Sequence, residues 1–355
     1  MPKWSNSPKA PMARHVMQSI AQAAAALKVR NPLPLVGDLL ERSFALPDDD
    51  PTYGRNALTP GAVPFEPSFC EQEPDVLRFT IEPMGPHVSP VTRRDEATRE
   101  IRRLIRPVFG PDALRWFDSR SEEWRGMGGL GWMSYGAWLG SAFDEDGLYA
   151  AKVYYELLPS QIDALAPNLA RLTRLAIAVM PSLMPIFTSI GCRREAASQR
   201  VTFMHRGSLV LAQIGPLMNQ LGIGHQLPSL MRVIGVALGG RFEIPNGGVL
   251  IGLRNTPAGV ELKLEILLGA IPDLPAGFLD LLRLGLAERP RQLNALARWL
   301  DAFGLGEGDE AGQFSVLSVR VNPESPARIS LYIRPIEFEL RDTIAEGRSP
   351  SRPPP

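Results

Sequence analysis

The sequence predicts an α+β fold: a closed antiparallel β-barrel of about ten strands with a polar lumen and a surrounding coat of helices. Three observations predict it. Strand-like and helical stretches follow one another as β-β then α-α, about five times, with no break in composition between rounds. The strands pair an apolar face with a polar one: Lys152, Tyr154 and Glu156 oppose Val153, Tyr155 and Leu157, and Ser330, Tyr332 and Arg334 oppose Ile329, Leu331 and Ile333. The helices carry apolar stripes that must cover the apolar strand faces, so the polar faces look either at water from an open sheet or inward. Ten strands approach the limit of a strongly twisted open sheet, and closure also removes the exposed edges. The lumen of such a barrel is too wide for side chains to fill.

The totals fit one large soluble domain. The chain has 355 residues, 45% apolar and 21% charged. Its 38 basic and 38 acidic residues balance, so no global charge draws it to nucleic acid or to an anionic membrane. Any anionic ligand must meet a local group of cations. Cys70, Cys192 and four scattered histidines form neither a disulfide framework nor a zinc signature. No apolar run reaches the length of a membrane span, and the first residues do not read as a secretory signal, so a cytoplasmic protein is expected. The domain reading is an N-terminal helix and connector over 1–60, a single barrel over 61–342, and a disordered Pro-rich tail over 343–355.

In order, an amphipathic helix is expected over Met12–Val29, then a Pro-broken connector and a loop at Asp48-Asp49-Asp50. Glu66 sits between Phe65 and Pro67, just ahead of an acidic turn and a strand over Val76–Pro83. That strand alternates Leu77, Phe79 and Ile81 against Arg78, Thr80 and Glu82. A charged helix follows over Asp95–Trp124. A strand over Trp132–Leu139 turns at Asp144–Gly147 into a partner over Ala151–Leu158, and helices follow over Ile162–Met180. A strand over Arg200–His205 precedes a helix over Ser208–Leu221. A hairpin joins Val249–Leu253 to Val260–Ile266, two helices span Ala276–Leu286 and Pro290–Phe303, and a last hairpin joins Phe314–Val321 to Arg328–Arg334. Gly126–Gly131 matches a dinucleotide fingerprint in form only, because it follows a helix and precedes a strand; it reads as a turn. Trp132 and Trp138 read as core rather than as a platform for a ligand, and His87 and His205 have no partner at ligand spacing.

If the polar faces line a lumen, Arg78, Lys152, Arg200, Lys263 and Arg334 converge on one cavity. Such a site suits a small polyanion such as a diphosphate, whose charge needs direct ion pairs once water is displaced. Tyr154 and Tyr332, on the same faces, can offer a hydroxyl to phosphate and a π face to a cation. The competing reading pairs the cations with Glu82, Glu156, Glu261 and Glu265 as internal salt bridges.

Repeated ββαα units, PFEPS followed by VLRFTIEP, the strand KVYYE, then VELKLE and ISLYIRP resemble the aromatic prenyltransferases of the ABBA or PT-barrel fold, most of all the dimethylallyltryptophan synthase branch. The likeness runs from about Ala62 to Phe338. It implies transfer of an allylic group, dimethylallyl or longer, from its diphosphate to an indole or other electron-rich arene. It further implies that Glu66 accepts a hydrogen bond from the ring N–H of the acceptor. Arg78, Lys152, Arg200, Lys263 and Arg334 bind the diphosphate in this reading, and Tyr154 and Tyr332 shield the allyl cation. Met204 and Glu265 line the substrate site where tyrosines are usual, and Thr202 replaces a lysine. The alternative function is a diverged barrel that binds an amphipathic small molecule or a peptide without turning it over. The implied partners are an allylic diphosphate as co-substrate and an aromatic acceptor, with no cofactor or metal required; the acceptor, the donor length and the oligomeric state stay open. Asp48-Asp49-Asp50 and Asp144-Glu145-Asp146 lack the spacing of magnesium-binding aspartate motifs.

Overall fold

The computed structural model describes residues 11–126, 133–194, 196–305 and 313–336. Two helices come first, α1 (Met12–Leu27) and α2 (Leu33–Ser43), the second inside the stretch read as a connector. The first hairpin is β1 (Phe65–Cys70) with β2 (Leu77–Ile81), so Glu66 lies within a strand rather than ahead of one. Helix α3 (Pro90–Gly126) is longer than expected and breaks at Gly110, whose φ of 85° and ψ of 176° suit glycine alone, between Pro107 and Pro111.

Next come β3 (Ala137–Asp144), β4 (Gly147–Glu156), α4 (Pro167–Val179), β5 (Leu183–Arg193) and β6 (Ala197–His205). Strand β3 begins five residues later than its composition suggested. Strand β5 was not foreseen, because Pro185 and Gly191 interrupt its sequence and a register shift between Pro185 and Phe187 breaks its alternation. A small ribbon of β7 (Leu209–Val210) and β8 (Glu243–Ile244) brackets α5 (Gly215–Gln220) and an unforeseen helix, α6 (Leu227–Ala237). The chain then runs through β9 (Val249–Thr256), β10 (Gly259–Leu267), α7 (Phe278–Gly285), α8 (Pro290–Ala302), β11 (Phe314–Val321) and β12 (Arg328–Ile333).

Ten of these strands close a barrel in the order β1-β12-β11-β10-β9-β6-β5-β4-β3-β2, every neighbour antiparallel. The seam pairs Ser68 with Tyr332 and Cys70 with Ser330. Pro67, which has no N–H to give, lies just before that ladder begins. Beyond the seam, the carboxylate of Glu71 is fully buried and accepts from the Ile329 backbone N–H at 2.9 Å and from Arg328 at 2.8 Å, and also pairs with Arg289.

The outward strand faces form the core. Val153, Val201, Phe203, Leu262, Leu264, Ile266, Leu331 and Ile333 are fully buried beneath the helices, each such side chain contributing about 1.5–3 kcal/mol. Helix α3 packs on β3, β4 and β5, α4 on β5, β6 and β9, and α6 on β11, while α1 lies against α2 and α8. The same buried cluster runs from Val16 and Ile20 of α1 to Ile333 of β12. Among the described residues, no helix is long and apolar enough to cross a membrane. The tail from 343, Trp132 and all but the first residue of the glycine run 126–131 lie outside the described residues.

Candidate active site

With the apolar faces turned outward, strand alternation leaves the polar faces lining the lumen. Near one end they enclose a cavity of about 110 Å³, room for several water molecules. Arg78 (β2), Lys152 (β4), Arg200 (β6), Lys263 (β10) and Tyr332 (β12) line it together, four strands' worth of cations brought to one place. Three further arginines, Arg193 (β5), Arg254 (β9) and Arg320 (β11), line the same cavity and escaped the sequence reading. Arg193 lies on the unforeseen strand. Arg254 and Arg320 were each legible as the next polar-face position, two residues beyond Gly252 and Ser318, but the strand around Arg254 was ended too early.

Internal carboxylates hold most of these cations, so both readings of the charges hold in part. Glu261 pairs with Arg200, with Arg254 at 2.7 Å and with Arg320 at 3.5 Å. Burial raises the carboxyl of Glu261, but the three arginines outweigh it and bring it down to about 2. Glu73, in the β1–β2 turn, pairs with Arg78, with Arg193 at 2.8 Å and accepts from the Tyr149 hydroxyl at 2.6 Å. Here too burial is opposed and outweighed by Arg78 and Arg193, which hold it below the usual carboxylate range. Lys263 pairs with Glu265 and donates to the Tyr332 hydroxyl at 2.8 Å. Glu82 and Glu156 take no part in this cavity: Glu82 pairs with Arg93 at 3.2 Å, and Glu156 accepts from the Ser134 and Tyr135 backbone amides.

Unused donors remain. The Nε atoms of Arg200 and Arg254 are buried without a hydrogen-bond partner. Lys152 forms no ion pair or hydrogen bond among the described residues; its ammonium lies 4.8 Å from the centroid of the Tyr154 ring. The register sets Gly140 and Gly191 beside Lys152 on its two neighbouring strands. A Cβ at Gly140 would meet Lys152 Cε at 3.0 Å, and one at Gly191 would meet its Cβ at 2.9 Å, so the two glycines clear the space the lysine fills. Burial, with Lys263, Arg200 and Arg320 nearby, pushes the Lys152 amine well below its ordinary value.

Farther along the lumen, the Glu66 carboxylate is buried and accepts from the Ser315 hydroxyl at 2.7 Å. Burial raises its carboxyl to about 7, with the Ser315 bond opposing and Glu265 adding to the rise. Two strands away along the barrel wall stands an aromatic cluster. Trp138 stacks on Tyr135 at 3.9 Å and meets Tyr154 and Phe187 edge-on. Trp138 is therefore a half-buried lumen residue and not core, because it lies opposite Tyr154 in register and shares that residue's inward face.

Arg334, Met204 and Glu265 do not line the cationic cavity. Arg334 falls just past the end of β12, where its charge is felt by Glu66, and Met204 pairs with Met184 and Leu250 near the strand ends. Thr202 is inward and buried beside Gly252. Among the described residues, no group of three or more His, Cys, Asp or Glu side chains could hold a metal ion.

No family model and no curated protein matches this chain by sequence. Solved structures do match it. The 5-dimethylallyltryptophan synthase from Streptomyces coelicolor superposes with a TM-score of 0.70 at 15% identity, covering 94% of this chain and 99% of that one. The 6-dimethylallyltryptophan synthase from Micromonospora olivasterospora, in complex with DMASPP and Trp, gives 0.70 at 15% identity over 92% and 98%. The binary complex of PriB with product diphosphate gives 0.72 at 16% identity over 93% and 98%. These likenesses show the fold: the chain is a PT barrel over nearly its whole length.

Proposed function

We propose that the protein is an aromatic prenyltransferase that moves an allylic group from its diphosphate to an indole or other electron-rich arene. The observation that carries this is the gathering of seven cations in one lumen, with guanidinium donors left over, together with a buried carboxylate on β1 and the Trp138–Tyr135 stack on the inward face two strands away. The structural neighbours include tryptophan prenyltransferases, one in complex with DMASPP and Trp and one with product diphosphate, which supports the reading.

In this reading Arg78, Lys152, Arg200, Arg254, Lys263 and Arg320 bind the diphosphate and stabilise it as it leaves. Tyr154 and Tyr332 flank the allyl cation, and Glu66 accepts the N–H of the acceptor ring. Arg334 is a companion of Glu66 rather than a diphosphate ligand. An indole has one N–H and an extended π face, which the Glu66 carboxylate and the Trp138–Tyr135 stack match.

A second reading, a barrel that binds such molecules without turnover, draws on Met204 and Glu265, which thin the aromatic lining. One assay separates the two. Incubation with indole acceptors and dimethylallyl or longer diphosphates, read by mass, is expected to give a product heavier by one prenyl group. Binding of both partners with no product would select the second reading.

A further inference from the structure

The reading above leaves one step without a residue, and this inference rests on that reading. Alkylation leaves a tetrahedral carbon in the acceptor ring, which must lose its proton before aromaticity returns. Six carboxylates border the lumen among the described residues, and four of them have both oxygens engaged. Glu73 is held by Tyr149 and Arg193 on one oxygen and Arg78 on the other. Glu261 is held by Arg200 and Arg320 on one and Arg254 on the other. Glu82 is held by Arg93 and Trp138, and Glu156 by the amides of Ser134 and Tyr135. Glu66 keeps one oxygen, which the ring N–H claims. That leaves Glu265, whose Oε1 meets Lys263 while its Oε2 accepts no hydrogen bond among the described residues.

We propose that Glu265 is a further catalytic residue, whose free oxygen receives the proton lost by the alkylated ring carbon. Its place on β10 fits. Glu261, Lys263 and Glu265 follow one another along the inward face, so Glu265 lies about 7 Å beyond Lys263, on the side away from the arginines. Its charge acts on Glu66 at the acceptor end and on Lys152 at the donor end, so it stands between the two. Directly across on β11, Ser318 is fully buried with its hydroxyl unpartnered, a second polar atom available to a bound molecule.

The atoms balance. The allylic carbon–oxygen bond breaks with its electron pair leaving on the diphosphate, and a ring π pair forms the new carbon–carbon bond. The C–H bond at the substituted carbon then breaks, its electrons restore the ring, and the proton passes to Glu265 and on to water or the departing diphosphate. Lys263 keeps the carboxylate ionised. A weak base suffices, because a cationic ring carbon is a far stronger acid than a carboxylic acid. Lys152 is unsuited, because a bound diphosphate beside it keeps it protonated. In the family that the chain resembles this position is a tyrosine, which lacks an ionised oxygen at neutral pH.

The test compares the parent protein, Glu265→Gln and Glu265→Asp on an indole acceptor carrying deuterium at the substituted ring carbon, with dimethylallyl diphosphate as donor. Glu265→Gln is expected to lower turnover about a hundredfold and to make proton loss rate-limiting, so that a primary isotope effect appears that the parent lacks. Glu265→Asp keeps the pair with Lys263 and should fold as the parent does; its shorter reach should give a smaller loss and a smaller isotope effect of the same kind. A merely structural Glu265 would lower turnover without an isotope effect. If neither variant shows one, the assignment is overturned while the proposed activity stands. If the parent itself makes no prenylated product, the proposed activity fails and the assignment with it.

Discussion

Glu66 shows how one buried group sets a pH profile. Its carboxyl titrates at about 7 because burial disfavours the charge. In the proposed role it would accept a ring N–H as a carboxylate and do so poorly as an acid. Turnover at low acceptor concentration should therefore rise through about pH 7, and Glu66→Gln should flatten that limb and lower the rate roughly ten- to a hundredfold. Stability runs the other way. The native state holds this proton more tightly than an unfolded chain at about 4.5, so stability is full below that value and falls as pH rises through 7. Glu66→Gln has no such penalty, so melting curves should show it more stable than the parent at alkaline pH, by up to about 3 kcal/mol, and level with it in acid. Equal melting curves at both pH values would mean that Glu66 is not desolvated. The residue was legible because a lone carboxylate stood between Phe65 and Pro67; its partner Ser315 was not, because 249 positions separate them.

The β1–β2 turn and the flanking glycines decide how the cations are presented. Glu73 carries its carboxylate from that turn onto Arg78 and Arg193, where it would compete with an incoming anion. Glu73→Gln should raise pyrophosphate affinity in calorimetry by about tenfold, the equivalent of about 1.4 kcal/mol; weaker binding would show instead that Glu73 orients the arginines. Gly140→Ala sets a methyl against the outer carbons of Lys152 and should weaken the same binding while the fold holds, since the clash is with the movable end of one side chain and not with backbone. All five hairpins had at least one strand plain in the sequence, because one-sided strands alternate with a period of two. Strand β5 was hidden by Pro185, Gly191 and a bulge, and β1 by a proline and a cysteine where β-branched residues are usual. The glycines that serve Lys152 could not be assigned from sequence, since their meaning depends on the register between strands far apart in the chain.

At the scale of the whole molecule, a chain with no net charge has sorted its charges by place. Among the described residues seven cations line the cavity, Arg78, Lys152, Arg193, Arg200, Arg254, Lys263 and Arg320, and three carboxylates, Glu73, Glu261 and Glu265, pair with them. The surplus of about four charges is close in size to the charge of a fully ionised diphosphate, so under the proposed function a filled barrel would be nearly neutral and an empty one would not. Loss of the Lys152 proton would relieve part of that strain, and its amine is pushed well below its ordinary value by burial and by Lys263, Arg200 and Arg320. A bound diphosphate reverses this, because the charged lysine then has an anion beside it. Binding of dimethylallyl diphosphate at about pH 8, above the last ionisation of a phosphate monoester near 6, should therefore take up protons. Calorimetry in buffers of different ionisation heat measures that uptake directly. Affinity should fall as pH rises further, since each increment of pH makes the required proton scarcer, and Lys152→Met should bind more weakly with no uptake. Pyrophosphate should also raise the melting temperature of the parent, as any ligand of the native state does, and by more than it raises that of Lys152→Met. Uptake of the same size in both proteins would move the titrating group elsewhere; none in the parent would mean that Lys152 is already charged in the empty barrel.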